Sequence, residues 1–203
     1  MTEIHPRVQQ LLSNPDNTNF DQRTDEWFKK RANCITASDM GTVLKQSERS
    51  CRNYINTYGV YDYVINPKKC INPYSTLNKF YERKLNLVDR EPPAIACLWG
   101  INYEPVAQKL YENVTGRKLI EFSLLVSENK DRKFLGASPD GISEDGLMLE
   151  IKCVYGRSIT RIVPFMYWCQ IQTQLEVADL EVCDFLDVHI REFLDEKDAV
   201  ADS

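Results

Sequence analysis

The sequence lacks any apolar run that approaches the roughly 18 residues of a membrane-spanning helix, which excludes a membrane protein of that kind. The N-terminal segment 1–6 lacks a basic stretch followed by an apolar core, so we expect no secretory signal there. Internal repeats and low-complexity tracts are missing as well. What remains is an ordinary globular composition, 43% hydrophobic and 27% charged, in a 203-residue chain that is long enough for one domain with a real core.

Histidine is scarce, and cysteine is poorly spaced for metal binding. We assign no role to either of the two histidines, His5 and His189. The seven cysteines are scattered, odd in number and without a Cys-x-x-Cys pair. This pattern favours free thiols in a reducing compartment over disulfides. It disfavours a zinc or iron–sulfur site, although four distant cysteines could still converge.

The chain also lacks an overall basic charge, since its net charge is −5. The distribution matters more than the sum. Residues 45–90 contain nine basic and four acidic residues, whereas residues 176–203 contain two basic and ten acidic ones. The negative net charge therefore comes from residues 176–203, whereas residues 45–90 are basic and contain tyrosines interspersed with lysines. That middle is either a solvated helical cap or a surface suited to stacking on bases and contacting phosphates.

Residues 135–153 carry the clearest chemical signal. The end of this stretch alternates as a strand does, with leucine and isoleucine on one face and Glu150 and Lys152 on the other. Two Asp-Gly turn signals precede it and would fold Asp140 back beside Glu150. Two carboxylates and a lysine then converge, an oxygen-rich arrangement that suits magnesium. A solvated strand face beside an ordinary turn is the alternative, and this stretch alone leaves both open.

Cap residues predict two helices near the N-terminus. Thr24 caps a helix that begins at Asp25, and the acidic first turn of that helix suits its dipole. Thr36 and Asp39 form a capping box, which predicts a second helix that runs to about Leu44.

The order of elements in the C-terminal half predicts an α/β domain with a central mixed β-sheet flanked by helices. Glu104 is expected in the first turn of a helix that Gly116 ends. The expected apolar stripe of that helix consists of Val106, Ala107, Leu110, Tyr111 and Val114. The expected elements, with approximate bounds, are helices at 103–114 and 166–178 and strands at 118–127, 133–137, within 135–153 and at 181–193.

Five short motifs follow one another along the chain. They are Arg31, Ile35, Thr36, Ala37 and Ser38; Trp99, Gly100 and Glu104; Ser138, Pro139, Asp140 and Gly141; Glu150, Ile151 and Lys152; and Tyr167, Gln170, Ile171 and Gln172. In this order they resemble the phage-lambda-type exonuclease family, also called YqaJ-like viral recombinases, of the PD-(D/E)xK nuclease superfamily. The resemblance covers about residues 22–188, and five ordered motifs are far more specific than one. It implies a restriction-endonuclease-like core and an origin in a large DNA virus or phage.

The resemblance implies a magnesium-dependent exonuclease. Such an enzyme digests one strand of duplex DNA from its 5′ end and leaves 3′ single strands for recombination and repair. Asp140 and Glu150 are the implied metal ligands, with the Ile151 carbonyl as a further ligand and Glu104 as a ligand of a second ion. We expect one or two Mg²⁺ ions, for which Mn²⁺ can substitute. Two carboxylates holding magnesium also satisfy what phosphodiester hydrolysis requires.

Further roles follow from the same resemblance. Lys152 would orient or activate the attacking water, with a lowered pKa, and Gln170 would steady the site or the scissile phosphate. Arg31, Thr36 and Ser38 match the pocket for the 5′-terminal phosphate, for which a helix start with hydroxyl and guanidinium donors is well suited. Two further arginines, Arg157 and Arg161, are candidates for contacts with the DNA backbone.

The whole chain, 1–203, is expected to form one nuclease domain. Its partners would be double-stranded DNA ends and a single-strand-annealing protein, with no membrane. The oligomeric state is left open between a monomer and a homotrimer. We expect the protein in a reducing compartment, which would be the cytoplasm, the nucleus or a viral factory, and we do not expect it to be secreted. The expected regions are a helical 5′-phosphate-reading region at 22–44, a Tyr/Lys-rich helical insert at 45–95, a catalytic core at 96–193 and an acidic tail at 194–203.

Four alternatives stay open, one of which is a nuclease-like subunit that acts only together with a single-strand-annealing protein. The chain could be an endonuclease of the same fold, or a nuclease that prefers single-stranded or branched ends. It could also be a non-catalytic module that binds DNA ends. The presence of Asp140, Glu150 and Lys152 disfavours the last alternative, because a degenerate copy is expected to lose one of them.

Overall fold

The computed structural model of the chain describes residues 4–19, 21–89 and 91–193, so the predicted tail at 194–203 lies outside the described residues. The α-helices are α1 (Pro6–Ser13), α2 (Asp25–Ala32), α3 (Met40–Val43), α4 (Glu48–Tyr58), α5 (Leu77–Lys84), α6 (Ile95–Thr115) and α7 (Phe165–Ala178). The strands are β1 (Ile35–Thr36), β2 (Leu119–Ile120), β3 (Leu125–Val126), β4 (Leu135–Ala137), β5 (Gly141–Ser143), β6 (Met148–Val154) and β7 (Cys183–His189). Two 3₁₀ turns are Pro15–Asn17 and Ala37–Asp39.

The strands form two mixed sheets. A three-stranded sheet has the order β1-β4-β3, and a four-stranded sheet has the order β2-β5-β6-β7. In the larger sheet β5 and β6 pair antiparallel, whereas β6 and β7 pair parallel across the α7 crossover. The predicted α/β class with mixed strand pairing and flanking helices is confirmed, and the strands divide between two hydrogen-bonded sheets instead of joining one.

Strand β6 has the predicted alternation, and both of its faces are covered. Leu149 and Ile151 pack with Ala107 and Tyr111 of α6 in one core cluster. Glu150 points to the opposite face and is 0% exposed. A seven-residue strand in the interior of a sheet thus carries a charged side chain into the core, which costs desolvation energy unless the charge is paired.

The N-terminal helix ties the start of the chain to the end of α7. Val8 and Leu11 are buried in the largest core cluster. Arg7 is also buried, and its Nε donates to the Ala178 carbonyl at 2.7 Å while Nη1 pairs with Glu128 at 3.0 Å. Because a buried guanidinium needs such acceptors, these contacts fix where α1 packs.

The predicted insert at 45–95 contains α4 and α5. Tyr54 of α4 stacks on Phe165 at the start of α7, with ring centroids 4.4 Å apart. Its hydroxyl donates to the Val163 carbonyl at 2.9 Å. The insert therefore packs on α7, the helix that borders the four-stranded sheet. Stacked aromatic rings at this contact favour one relative orientation of α4 and α7.

Helix α6 begins eight residues before the predicted start, at Ile95. Glu104 consequently lies in the third turn, so the prediction that it occupies the first turn is wrong. Gly100 and Pro105 both lie inside the helix and are poor helix formers, which concealed its first two turns in the sequence. The predicted end at Gly116, which has a left-handed φ of 71°, is correct.

The buried face of α6 contains only part of the predicted apolar stripe. Val106, Leu110 and Val114 are 56%, 48% and 76% exposed. Ala107 and Tyr111, which belong to the same predicted stripe, are buried against β6 as predicted. The apolar stripe is wide enough that the sequence does not settle which of its edges faces the sheet.

Candidate functional site

The turn between β4 and β5 brings Asp140 to the backbone of β6. Gly141 pairs with Leu149 in the β5–β6 register, so the turn lies against the middle of β6. The Asp140 Oδ2 atom accepts a hydrogen bond from the Ile151 N–H at 2.6 Å. Asp140 and Glu150 are therefore neighbours, as the turn signals predict.

Three side chains hold the Glu150 carboxylate. Lys152 forms an ion pair with Oε1, and Gln170 of α7 donates to the same oxygen at 2.6 Å. Gln174, one helical turn further along α7, donates to Oε2 at 2.7 Å. These contacts compensate the buried charge and fix the orientation of the carboxylate.

The surroundings of Asp140 make its ionisation unfavourable. Burial, followed by the nearby Glu150 carboxylate, raises the pKa of Asp140 well above its ordinary value. Burial alone would lower the pKa of Lys152, but the carboxylates of Glu150 and Asp140 outweigh it and raise that pKa. The expectation of a lowered lysine pKa is therefore wrong, because two anions surround the ammonium group.

The donor chemistry fits a hard divalent cation at Asp140 and Glu150. Burial and the nearby Glu150 carboxylate disfavour ionisation of Asp140, and a bound dication would relieve this. Within residues 4–19, 21–89 and 91–193, no group of three or more His, Cys, Asp or Glu side chains could hold a metal ion. The expected third carboxylate, Glu104, instead pairs with Arg23 at 2.6 Å.

A second polar cluster lies where α2 meets β1. The Arg31 guanidinium donates to Ser38 Oγ at 3.0 Å and to Thr36 Oγ1 at 3.3 Å. Thr36 is 1% exposed, and its hydroxyl donates to Asp39 Oδ2 at 2.7 Å within the predicted capping box. Ser38 is exposed. The three predicted phosphate-binding residues thus converge, but the Thr36 hydroxyl hydrogen already has an acceptor, so its role stays a prediction.

Trp27 connects this cluster to the carboxylate site. Its indole Nε1 donates to Ser138 Oγ at 3.0 Å, two residues before Asp140. The Arg31 guanidinium lies over the Trp27 ring, 4.2 Å from its centroid. A single buried side chain therefore separates the two polar clusters and fixes their spacing.

The two candidate DNA-backbone arginines differ in their surroundings. Arg157 pairs with the buried carboxylate of Asp187 and lies 5.7 Å from the centroid of the Tyr167 ring. Lys152 lies 5.0 Å from the same centroid, so Tyr167 packs beneath two cations. Arg161 is exposed. Their contacts with DNA stay predictions.

Among the residues that contact the predicted site, Gln174, Arg23 and Lys84 were not assigned to it from the sequence. Gln174 lies four residues after Gln170, a spacing that indicates a shared helix face without indicating that the face meets Glu150. Arg23 and Lys84 reach their partners from distant parts of the chain, 81 residues from Glu104 and 53 residues from Arg31. No local pattern signals such contacts.

Comparison with known proteins assigns the chain to a family. Residues 26–181 match the model of the YqaJ-like viral recombinase domain. A crystal structure of an alkaline exonuclease (LHK-Exo) from Laribacter hongkongensis is 25% identical, with a TM-score of 0.54, over 83% of this chain and 76% of that chain. The structure of LHK-Exo in complex with dAMP is also 25% identical, with a TM-score of 0.53, over 86% of this chain and 77% of that chain.

A viral relative is similar along most of the chain. The uncharacterized protein R354 of Acanthamoeba polyphaga mimivirus is 28% identical over 203 aligned residues, which are 91% of this chain and 32% of that protein. The chain therefore spans about a third of the length of the curated relative it matches. In the described part of the chain, no helix has both the length and the apolar character needed to cross a membrane.

Proposed function

The chain belongs to the YqaJ-like viral recombinase domain family, and from this premise we propose that it is a magnesium-dependent DNA exonuclease. It would hydrolyse phosphodiesters from the 5′ end of duplex DNA and leave 3′ single strands for recombination and repair. The observation that carries the proposal is the convergence of Asp140, Glu150, Lys152 and Gln170 at one point. A nucleoside monophosphate, dAMP, is bound in one structure of the similar exonuclease LHK-Exo, which supports an activity that releases mononucleotides.

Asp140 and Glu150 would hold one or two metal ions, with the Ile151 carbonyl and Glu104 as further ligands. When bound, Mg²⁺, or Mn²⁺ in its place, supplies a water molecule of lowered pKa and neutralises charge on the leaving oxygen. Glu104 would first have to leave Arg23, to which it is paired at 2.6 Å.

Lys152 would act as a cation and hydrogen-bond donor. Its pKa is raised by the neighbouring carboxylates, so its ammonium group stays protonated at neutral pH. It would therefore orient the attacking water or a phosphate oxygen and would not remove a proton. Gln170 and Gln174 would keep the Glu150 carboxylate in one orientation, since they donate to its two different oxygens.

Arg31, Thr36 and Ser38 would bind the 5′-terminal phosphate. A guanidinium group with adjacent hydroxyls provides charge-assisted, directional hydrogen bonds to such a group. Trp27 would hold this phosphate at a fixed distance from the reacting bond, because it contacts both Arg31 and the turn that carries Asp140. We assign residues 22–44 to this end-reading role, 45–95 to an insert beside it and 96–193 to catalysis, with Arg157 and Arg161 as DNA-backbone contacts.

The test compares linear and closed-circular duplex DNA in the presence of Mg²⁺ or EDTA. We expect nucleotide release from the linear substrate only, with magnesium only, and its loss in Lys152→Ala. Cutting of closed circles would identify an endonuclease instead. Full activity in EDTA or in Lys152→Ala would contradict the metal mechanism. A single-strand-annealing protein added to the reaction is expected to coat the 3′ single strands that the enzyme leaves. The oligomeric state is tested separately, by measuring the molar mass with light scattering, which distinguishes a monomer from a homotrimer.

A further inference from the structure

A lysine from the insert holds the turn that carries the predicted phosphate-binding residues. Lys84, the last residue of α5, donates from Nζ to the carbonyl oxygens of Arg31 at 2.8 Å and Cys34 at 2.6 Å. The same Nζ atom lies 3.0 Å from Asp39 Oδ2. The Lys84 side chain is only 19% exposed. Three acceptors on one partly buried ammonium group use its full set of donors.

These acceptors belong to both ends of the turn. The Arg31 and Cys34 carbonyls lie at the end of α2, where the helix dipole favours a cation. Asp39 lies at the other end and accepts hydrogen bonds from the Thr36 N–H at 3.1 Å and from its hydroxyl at 2.7 Å. Lys84 thus connects the helix that presents Arg31 to the capping box beside Ser38.

The charge at this position suits a terminal phosphate. The Asp39 carboxylate pairs with Lys84 at 3.0 Å and with Arg83 at 3.6 Å, and the Arg31 guanidinium joins the same cluster through Thr36 and Ser38. The excess of two positive charges matches the charge of a phosphate monoester, about −1.5 to −2 at pH 7. Without Lys84, the Asp39 carboxylate would repel the phosphate and compete with it for Arg31.

We propose that Lys84 is a positioning residue for the 5′-terminal phosphate, so that recognition of the DNA end depends on the insert that carries α5. Lys84 acts through Arg31 and Ser38, whose convergence it maintains, and through Asp39, whose charge it neutralises. This inference rests on the proposed function, because it assumes that the cluster binds the end of a DNA strand. It gives residues 45–95 a role in substrate selection that the family match alone does not assign.

The experiment measures steady-state kinetics on linear duplexes that carry either a 5′-phosphate or a 5′-hydroxyl. Lys84→Met removes the charge and all three contacts, and we expect KM for the phosphorylated duplex to rise by about tenfold or more, the effect of losing a charge-assisted hydrogen bond. We expect kcat and the kinetics on the hydroxyl-ended duplex to stay unchanged. Lys84→Arg keeps the charge and should restore part of the discrimination. Lys79→Met, in the same helix but exposed, is the matched control.

The outcomes separate this inference from the proposed function. If the wild-type enzyme treats both ends equally, the end-reading part of the proposed function is wrong. If the wild type discriminates and Lys84→Met discriminates equally well, only the role of Lys84 is overturned. An equal loss on both substrates would indicate a merely structural role and would also overturn it. Should Lys84→Met fail to fold, the same ratio is measured on Lys84→Gln, which keeps donors for the carbonyls but lacks the charge.

Discussion

Replacing Gln174 by methionine tests whether the orientation of Glu150 controls metal binding. Gln174 is 1% exposed and donates to Glu150 Oε2 at 2.7 Å, while its own Oε1 atom is buried and has no hydrogen-bond partner among the described residues. Losing a hydrogen bond to a charged group costs about 1.5–3 kcal/mol, but removing an unpaired buried acceptor returns about 1–3 kcal/mol. We therefore expect the free energy of unfolding in EDTA to change by less than about 1 kcal/mol.

Metal affinity should change much more than stability. Without Gln174, the Glu150 carboxylate keeps only the donors on Oε1, Lys152 and Gln170, and it can rotate about its terminal bond. Removal of a residue that orients a metal ligand typically weakens binding by about 10- to 100-fold, or roughly 1.4–2.8 kcal/mol. We expect that loss for Mn²⁺, measured by isothermal titration calorimetry, beside a thermal unfolding curve in EDTA.

Gln172→Met is the matched control for this experiment. Gln172 lies on the same helix, but its side chain is exposed, so the same substitution there should leave both stability and Mn²⁺ affinity unchanged. An unchanged affinity in Gln174→Met would refute the reasoning. So would a loss of several kcal/mol in stability, because it would mean that Gln174 serves the core more than the site.

Four further substitutions, in two matched pairs, test the electrostatics. The pKa of Asp140 is raised in the folded state, so ionisation of Asp140 lowers the stability of the fold as pH rises through that pKa. Asp140→Asn should therefore unfold at a higher temperature than the wild type at pH 8 in EDTA. It should show no such gain below about pH 4, where aspartate is protonated in both the folded and the unfolded state. Asp145→Asn should instead unfold at a lower temperature than the wild type at pH 8, because a hydrogen bond from Ser143 and the pairing with Arg117 lower the pKa of Asp145. A higher unfolding temperature in both variants would contradict this account of the two carboxylates. Arg23→Met frees Glu104 and should increase the affinity for Mn²⁺ by up to about fivefold, which corresponds to the free energy of a partly exposed ion pair. Arg117→Met removes an ion pair away from Glu104 and should leave that affinity unchanged. Weaker Mn²⁺ binding by Arg23→Met in calorimetry would refute the idea that Arg23 competes with the metal for Glu104.

Local patterns in the sequence predict the elements that hold the carboxylates. The Thr24 cap, the alternation of β6 and the left-handed end of α6 at Gly116 depend on residues within a few positions of one another. The turn that folds Asp140 beside Glu150 is local as well, since Glu150 lies only ten positions after Asp140. These features are readable because propensity and periodicity agree with the final fold.

What the sequence did not predict depends on long-range packing. Gly100 and Pro105 oppose helix formation locally, yet α6 continues through them because its buried face packs on β6. The contacts of Lys84 with Arg31 and of Arg23 with Glu104 join segments more than 50 residues apart. The raised pKa of Lys152 follows from two anions that become neighbours only after folding. Such features appear only when the partners on other elements are known.

Strand polarity is the most direct test of the proposed activity. A linear duplex with 5′-phosphate ends is labelled on one strand, either at its 5′ or at its 3′ terminal nucleotide, and incubated with Mg²⁺. We predict immediate release of the 5′ label as a mononucleotide and retention of the 3′ label in the single strand that remains, with 5′ release lost in Asp140→Asn. Early release of the 3′ label, or 5′ release that persists in Asp140→Asn, would contradict a metal-dependent 5′-to-3′ exonuclease built on Asp140 and Glu150.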